Sequence, residues 1–148
     1  MPDAEFNFIN DTFSALAGRE ERHGAASITD IERVVLIVWH ASGIVENGGF
    51  RYFFECGLSL RDTAEAYTRI GVDAVAVILH RVHDLFPGRH IPDDWDERME
   101  IVEQLYDKHR DLFDRLESEF YRADEKMQPQ LAGWIRVHKD VFGPTKAV

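Results

Sequence analysis

The chain has 148 residues, of which 45% are hydrophobic and 30% are charged, and its formal net charge is −10. This length and composition predict a single folded domain over residues 1–148 and exclude a globally disordered chain. An acidic protein lacks the basic patch that phosphate contacts require and is repelled by anionic lipid surfaces. Direct binding to nucleic acid or to a membrane is therefore not expected.

Three further features of the sequence concern where the protein resides. Cys56 is the single cysteine, which excludes an intramolecular disulfide and a cysteine-rich zinc site. The longest apolar run, residues 34–39, is too short to span a bilayer. Residues 1–5 lack the basic start of a signal peptide. We therefore expect a cytoplasmic protein.

The first half of the chain has the apolar spacing of helices. This spacing predicts a helix over residues 4–17 and a polar connection over residues 18–27. Thr29 and Glu32 form a capping-box sequence that opens a helix over residues 30–45. That helix is apolar on nearly every side, which is typical of the buried centre of a bundle. His40 lies within it and is interpreted as a packed core histidine.

The second half is also helical. Asn47, Gly48 and Gly49 are expected to end the central helix, because both residue types accept the left-handed conformation. The expected helices that follow cover residues 50–55, 60–70, 73–86 and 94–126, the last either continuous or kinked near residues 107–110, and a final helix opened by Pro129. No segment has the pattern of a strand. The predicted fold class is an all-α single-domain bundle of about six to eight helices.

Residues 91–125 contain 13 acidic and 5 basic residues, a net charge of −8. Eight of the acids recur at steps of three or four residues, which on an α-helix places them along one face. This predicted acidic face consists of Asp93, Asp96, Glu100, Glu103, Asp107, Asp111, Asp114 and Glu117. Local ion pairs, such as Asp94 with Arg98, would make it an ordinary solvated surface. Five cations cannot neutralise 13 acids, however, and the excess favours a basic protein partner.

A second feature is a corner at which two glycines allow a sharp turn and the following aromatic residues enter the core. It comprises Glu46, Asn47, Gly48, Gly49, Phe50, Phe53 and Phe54. This segment resembles the signature of a mostly uncharacterised bacterial DNA-mimic protein family, which reads roughly Glu-x-x-Asn-Gly-Gly-Phe and then Gln-Phe-Phe and an Asn. The resemblance covers about residues 30–142.

The resemblance implies an all-α fold, a homodimer and mimicry of the charge of DNA. The expected partner is a basic protein, for example a DNA-binding protein. Two positions depart from the family pattern: Tyr52 stands where the family usually has Gln, and Cys56 where it often has Asn. If those polar residues form a shared site in the family, that site is altered or lost here.

Two other classes of function stay open. A small enzyme or metal-binding protein could use the corner at residues 46–54 with His80 and His83, which lie three residues apart on a helix, and with His90 or Asp93 as a third ligand. An acidic immunity or antitoxin-type protein would have the same composition. The sequence contains no catalytic set, no nucleotide-binding loop and no complete set of metal ligands. The leading hypothesis is therefore a non-enzymatic interaction protein without a cofactor.

Overall fold

The computed structural model describes residues 3–143, which form one helical domain without a strand. The helices are α1 (Ala4–His23), α2 (Asp30–Glu55), α3 (Leu60–Arg69), α4 (Asp73–His83), α5 (Trp95–Lys108), α6 (Arg110–Ala123), α7 (Met127–Val137) and α8 (Lys139–Phe142). Short 3-10 turns occur at Ala25–Ser27, Pro87–Arg89 and Asp124–Lys126. The predicted all-α fold class is confirmed. Within this range no helix combines the length and the apolar character that crossing a membrane requires.

Helix α2 lies at the centre of the bundle, as its apolar sequence predicts. It contacts α1, α3, α5, α6 and α8. Val35, Val38 and Val45 are completely buried. The interpretation of His40 as a core residue is wrong, because this side chain is exposed. Ile37, one turn earlier on the same side of α2, is half-buried, so this side of the helix reaches solvent.

Helix α1 extends beyond the predicted end at residue 17. The polar residues that were expected to form a connection continue the helix, because they pair with α2. Arg19 forms an ion pair with Glu32 at 2.5 Å, and Glu20 pairs with Arg33. The helix ends instead before Gly24, whose φ of 86° suits the left-handed region open to glycine.

The structure also decides whether residues 94–126 form one helix or two, and it changes the predicted bounds of two other helices. Residues 94–126 form two helices rather than one, and they are separated at His109. Helix α4 ends at residue 83 rather than 86. Helix α7 begins two residues before Pro129, and it ends at Val137 rather than continuing to Gly143. Proline is accepted within the first turn of α7 because the amide at that position has no helical partner.

The capping box at the start of α2 is confirmed and provides a test of local stability. Thr29 Oγ1 accepts a hydrogen bond from the Glu32 amide at 3.1 Å, and Glu32 Oε1 accepts one from the Thr29 amide at 3.1 Å. We expect Thr29→Ala to lower the free energy of unfolding by about 1 kcal/mol. Urea denaturation measures this change. Thr68→Ala, at an exposed position in the last turn of α3, is the control and should have little effect, so equal losses in both variants would contradict the assignment.

Candidate partner-binding face and glycine corner

The structure exposes seven of the eight carboxylates of the predicted acidic face. Asp93 precedes α5, four others lie on α5, and Asp111 and Asp114 lie on α6. The exception is Glu117, which is half-buried on α6 and turns toward the protein. The exposed members are Asp93, Asp96, Glu100, Glu103, Asp107, Asp111 and Asp114.

Few cations neutralise these exposed carboxylates. Within residues 3–143, Glu103 pairs with Arg51 at 2.6 Å and Asp107 with Arg110 at 3.9 Å. Arg98, a candidate ion-pair partner of Asp94, is buried instead. Its guanidinium donates to the carbonyl oxygens of Phe54, Pro92 and Asp93 at 2.9, 3.2 and 2.9 Å. The face therefore keeps most of its negative charge.

The acidic face bends at His109, between α5 and α6. Tyr106 Oη lies 2.7 Å from Glu117 Oε2 although 11 residues separate the two positions. On a straight helix their Cα atoms would be about 16 Å apart, which is too far for these side chains to meet. Tyr106 also stacks on Phe113 with ring centroids 4.0 Å apart. The eight positions consequently follow two helical segments rather than one straight line.

The same Glu117 carboxylate completes the glycine corner. Gly48 and Gly49 leave the helical conformation, with φ, ψ of −148°, 15° and 68°, −167°. A break of this kind frees backbone amides at the start of the next helical segment. The Phe50 amide donates to Glu117 Oε2 at 2.9 Å, and the Arg51 amide donates to Tyr106 Oη at 2.8 Å.

The close approach of Glu117 explains why position 49 requires glycine. Besides its positive φ, a Cβ atom on Gly49 would lie only 2.2 Å from Glu117 Oε2. Phe50, Phe53 and Phe54 then enter the core, where all three are buried. The glycine corner is therefore a packed junction between α2, α5 and α6.

Sequence reasoning missed the role of Glu117 although a signal was present. Phe113, Leu116 and Phe120 mark the buried side of α6. Glu117 lies four residues after Phe113 and three before Phe120, so it falls on that same side. Glu117 was instead grouped with the acidic face because it follows Asp114 by three residues. The Tyr106 ring packs against the core, as an aromatic residue is expected to, but its hydrogen bonds to Arg51 and Glu117 have no signal in the sequence.

The other members of the corner, and the two positions that depart from the family pattern, lie at the surface. Glu46 and Asn47 are exposed. Tyr52, near the end of α2, and Cys56, directly after that helix, are exposed as well. Neither lies inside the junction formed by Glu117, so the departures leave that junction intact.

A cavity of about 330 Å³ lies beside the corner, between α1, α2 and the turn that follows α6. The Asp124 carboxylate on its wall is buried and accepts hydrogen bonds from Ser42 Oγ at 2.5 Å and Tyr67 Oη at 2.8 Å. Burial raises the pKa of Asp124, and the two hydroxyl donors oppose that rise. Glu46 is exposed but lines the same cavity, and desolvation there together with the charge of Asp124 raises its pKa as well.

The histidines of the metal-binding alternative lie at the end of α4. His80 is exposed, and His83 Nε2 lies 2.8 Å from the carbonyl oxygen of Arg89. No group of three or more His, Cys, Asp or Glu side chains within residues 3–143 is arranged to hold a metal ion.

Comparison with known proteins identifies the family. A family model described as DMP19-like protein matches residues 26–138. The chain belongs to the DMP19-like family. This is a DNA-mimic protein family, so the resemblance seen in the glycine corner is confirmed. The matched residues include that corner and all members of the acidic face. No curated protein and no solved structure matches the chain.

The glycine corner can be tested with two alanine variants of α2. We expect Gly49→Ala to lower the free energy of unfolding by more than the roughly 1 kcal/mol of an ordinary glycine effect, because the new Cβ displaces Glu117 and φ is positive. Gly43→Ala is the matched control, since it is helical and a Cβ there meets nothing within 4 Å. This control should stabilise the protein slightly. Equal melting temperatures for the two variants would contradict the role assigned to Gly49.

The raised pKa of Asp124 predicts a pH dependence of stability. Between the ordinary and the raised pKa the folded protein binds more protons at this group than the unfolded chain does. The wild type should therefore lose stability relative to Asp124→Asn as pH rises from about 4 toward neutrality, because the ordinary pKa is near 3.9. Urea denaturation at several pH values measures this difference. If the stability of the wild type minus that of Asp124→Asn stays constant or rises with pH, the pKa of Asp124 is not raised in the folded protein.

Proposed function

We propose that this chain is a non-enzymatic DNA mimic whose acidic face binds a basic, DNA-binding protein. The observation that carries the proposal is the exposure of seven carboxylates on and beside α5 and α6 with few neutralising cations. Membership of the DMP19-like family supports the same conclusion. A surface of this kind attracts basic partners over a distance and repels nucleic acid. An intracellular DNA-binding partner would also require a cytoplasmic location.

The spacing of charge on this face is compatible with that function. The seven exposed carboxylates are spread over residues 93–114, so each occupies about 5 Å along the helices at roughly 1.5 Å per residue. One strand of DNA carries a phosphate every ~3.4 Å. One copy of the face is thus a dilute imitation of a strand. We propose that a homodimer joins two such faces, which would bring the charge closer to that of a duplex.

The partner can be identified by affinity capture from the native cell at low and high salt. A basic DNA-binding protein that is released by salt supports the proposal, because exposed charges are screened within about 10 Å at 0.1 M salt. Capture of a nuclease-like toxin would instead favour an immunity or antitoxin-type function. Analytical ultracentrifugation tests the homodimer, and a monomer at micromolar concentrations would remove that part of the proposal.

Charge reversal on the acidic face provides the sharpest test of function. The test variant changes to lysine three exposed carboxylates that have no ion pair within residues 3–143. These are Glu100, Asp111 and Asp114. We expect binding to the captured partner to be lost, with the association rate falling first, because exposed charges mainly accelerate encounter. Surface plasmon resonance measures the association and dissociation rates, and thermal unfolding verifies that the variant is folded.

The matched control reverses three exposed acids on other helices and so changes the net charge equally. These are Asp11, Glu21 and Glu65. This control should retain most of the binding. Duplex DNA should compete with the wild-type protein for the partner. If the partner binds this protein and DNA at the same time without any effect on either affinity, the acidic face does not act as a mimic.

A further inference from the structure

A second cavity has a charge opposite to that of the protein as a whole. It measures about 540 Å³ and lies between the start of α3, the end of α4 and the loop that precedes α5. Its volume is in the range of small-molecule sites, roughly 300–1,000 Å³. Asp93 is the one carboxylate among its described lining residues. The basic lining residues are Arg61, His83, Arg89, His90 and Arg98.

Arg98 is a mostly buried arginine that is held in place at the wall of this cavity. It is only 8% exposed, and no carboxylate within residues 3–143 forms an ion pair with it. Nε and Nη1 donate to backbone carbonyl oxygens, while Nη2 has no hydrogen bond to the described part of the chain. Nη2 lies 3.6 Å from the position of a Cβ atom on Gly57, which also lines the cavity. Nη2 is therefore available to donate to a ligand in the cavity, and the mostly buried positive charge of Arg98 favours an anion there.

The start of α3 adds further positive potential to the same wall. Ser59 caps this ten-residue helix by accepting a hydrogen bond from the Asp62 amide at 3.1 Å, and Leu60 and Arg61 form its first turn. Ser59, Leu60 and Arg61 all line the cavity. The first amides of a helix and its dipole favour an anion at this end. The Arg61 side chain is exposed and free to close on such an anion.

We propose that this cavity binds the phosphoryl group of a small molecule. His83, His90 and Asp93 from the metal-site alternative share its wall, whereas His80 does not. Arg89 is paired with Asp84 at 3.3 Å, but Arg61 and Arg98 have no ion pair within residues 3–143 and disfavour a cation. A long polyanion such as DNA would be repelled by a protein of net charge −10, whereas a small anion can enter the cavity. The site goes beyond the proposed partner binding and does not depend on it.

Nitrogen-15 NMR titration of the full chain tests the site with inorganic phosphate as the probe. We expect saturable shifts of the backbone amides of residues 57–61, 89–91 and 93. Acetate and chloride at the same ionic strength are the reference anions. Shifts of equal size with either of them would overturn the proposal, and so would the absence of saturation with phosphate.

Ribose 5-phosphate distinguishes the two sources of a phosphoryl group. Tighter binding of ribose 5-phosphate than of inorganic phosphate assigns the cavity to phosphorylated small molecules. Equal binding assigns it to the free ion and overturns the choice of a larger ligand, since the remaining volume would then make no contact with the sugar.

A variant with a matched control connects the shifts to the cavity. Arg61→Gln should weaken phosphate binding by roughly tenfold, the effect expected from one hydrogen bond to a charged group. Because Arg61 is exposed, this variant is expected to fold, which thermal unfolding verifies. Arg122→Gln removes one exposed arginine on α6, outside the cavity, and should leave phosphate binding unchanged. Unchanged binding by Arg61→Gln would overturn the assignment.

Discussion

The hydrogen bond from the Phe50 amide to the Glu117 carboxylate is the interaction on which the arrangement of three helices depends. It satisfies an amide at the break in α2, and the same oxygen accepts from the Tyr106 hydroxyl. Helices α2, α5 and α6 are thereby joined at one point. The bend between α5 and α6 follows from this junction, and that bend decides the shape of the acidic face. Gly49 is required because only a residue without a side chain leaves room for the carboxylate.

The protein separates its charges by using cations within the structure and leaving acids at the surface. Arg98 is buried against backbone carbonyl oxygens, and Arg19 holds the buried carboxylate of Glu32. Neither cation is available to neutralise the exposed acids of α5 and α6. The negative face therefore results both from its own acids and from the withdrawal of a nearby cation into the core. The burial of Arg98 also contributes to the basic cavity that this residue lines.

The sequence predicted the elements whose signals lie within a few neighbouring residues. It did not predict helix ends or side-chain exposure that depend on contacts with another helix. The capping box of Thr29 and Glu32 needs only four consecutive residues, and the central position of α2 follows from its apolar surface. The end of α1 was missed because Arg19 and Glu20 pair with residues that lie on another helix. His40 was misplaced for a similar reason, since the packing of neighbouring helices decides which side of α2 reaches solvent.

By itself the sequence determined the helical class, the excess of negative charge and the need for a turn at the two glycines. These properties depend on composition, periodicity and backbone freedom, all of which are local. Only the tertiary structure decided that Glu117 leaves the acidic series to close the corner, that Arg98 is buried, and that basic residues from four segments surround one cavity. The physical reason is that a charged side chain is assigned to surface or interior by the hydrogen-bond partners that distant segments bring to it.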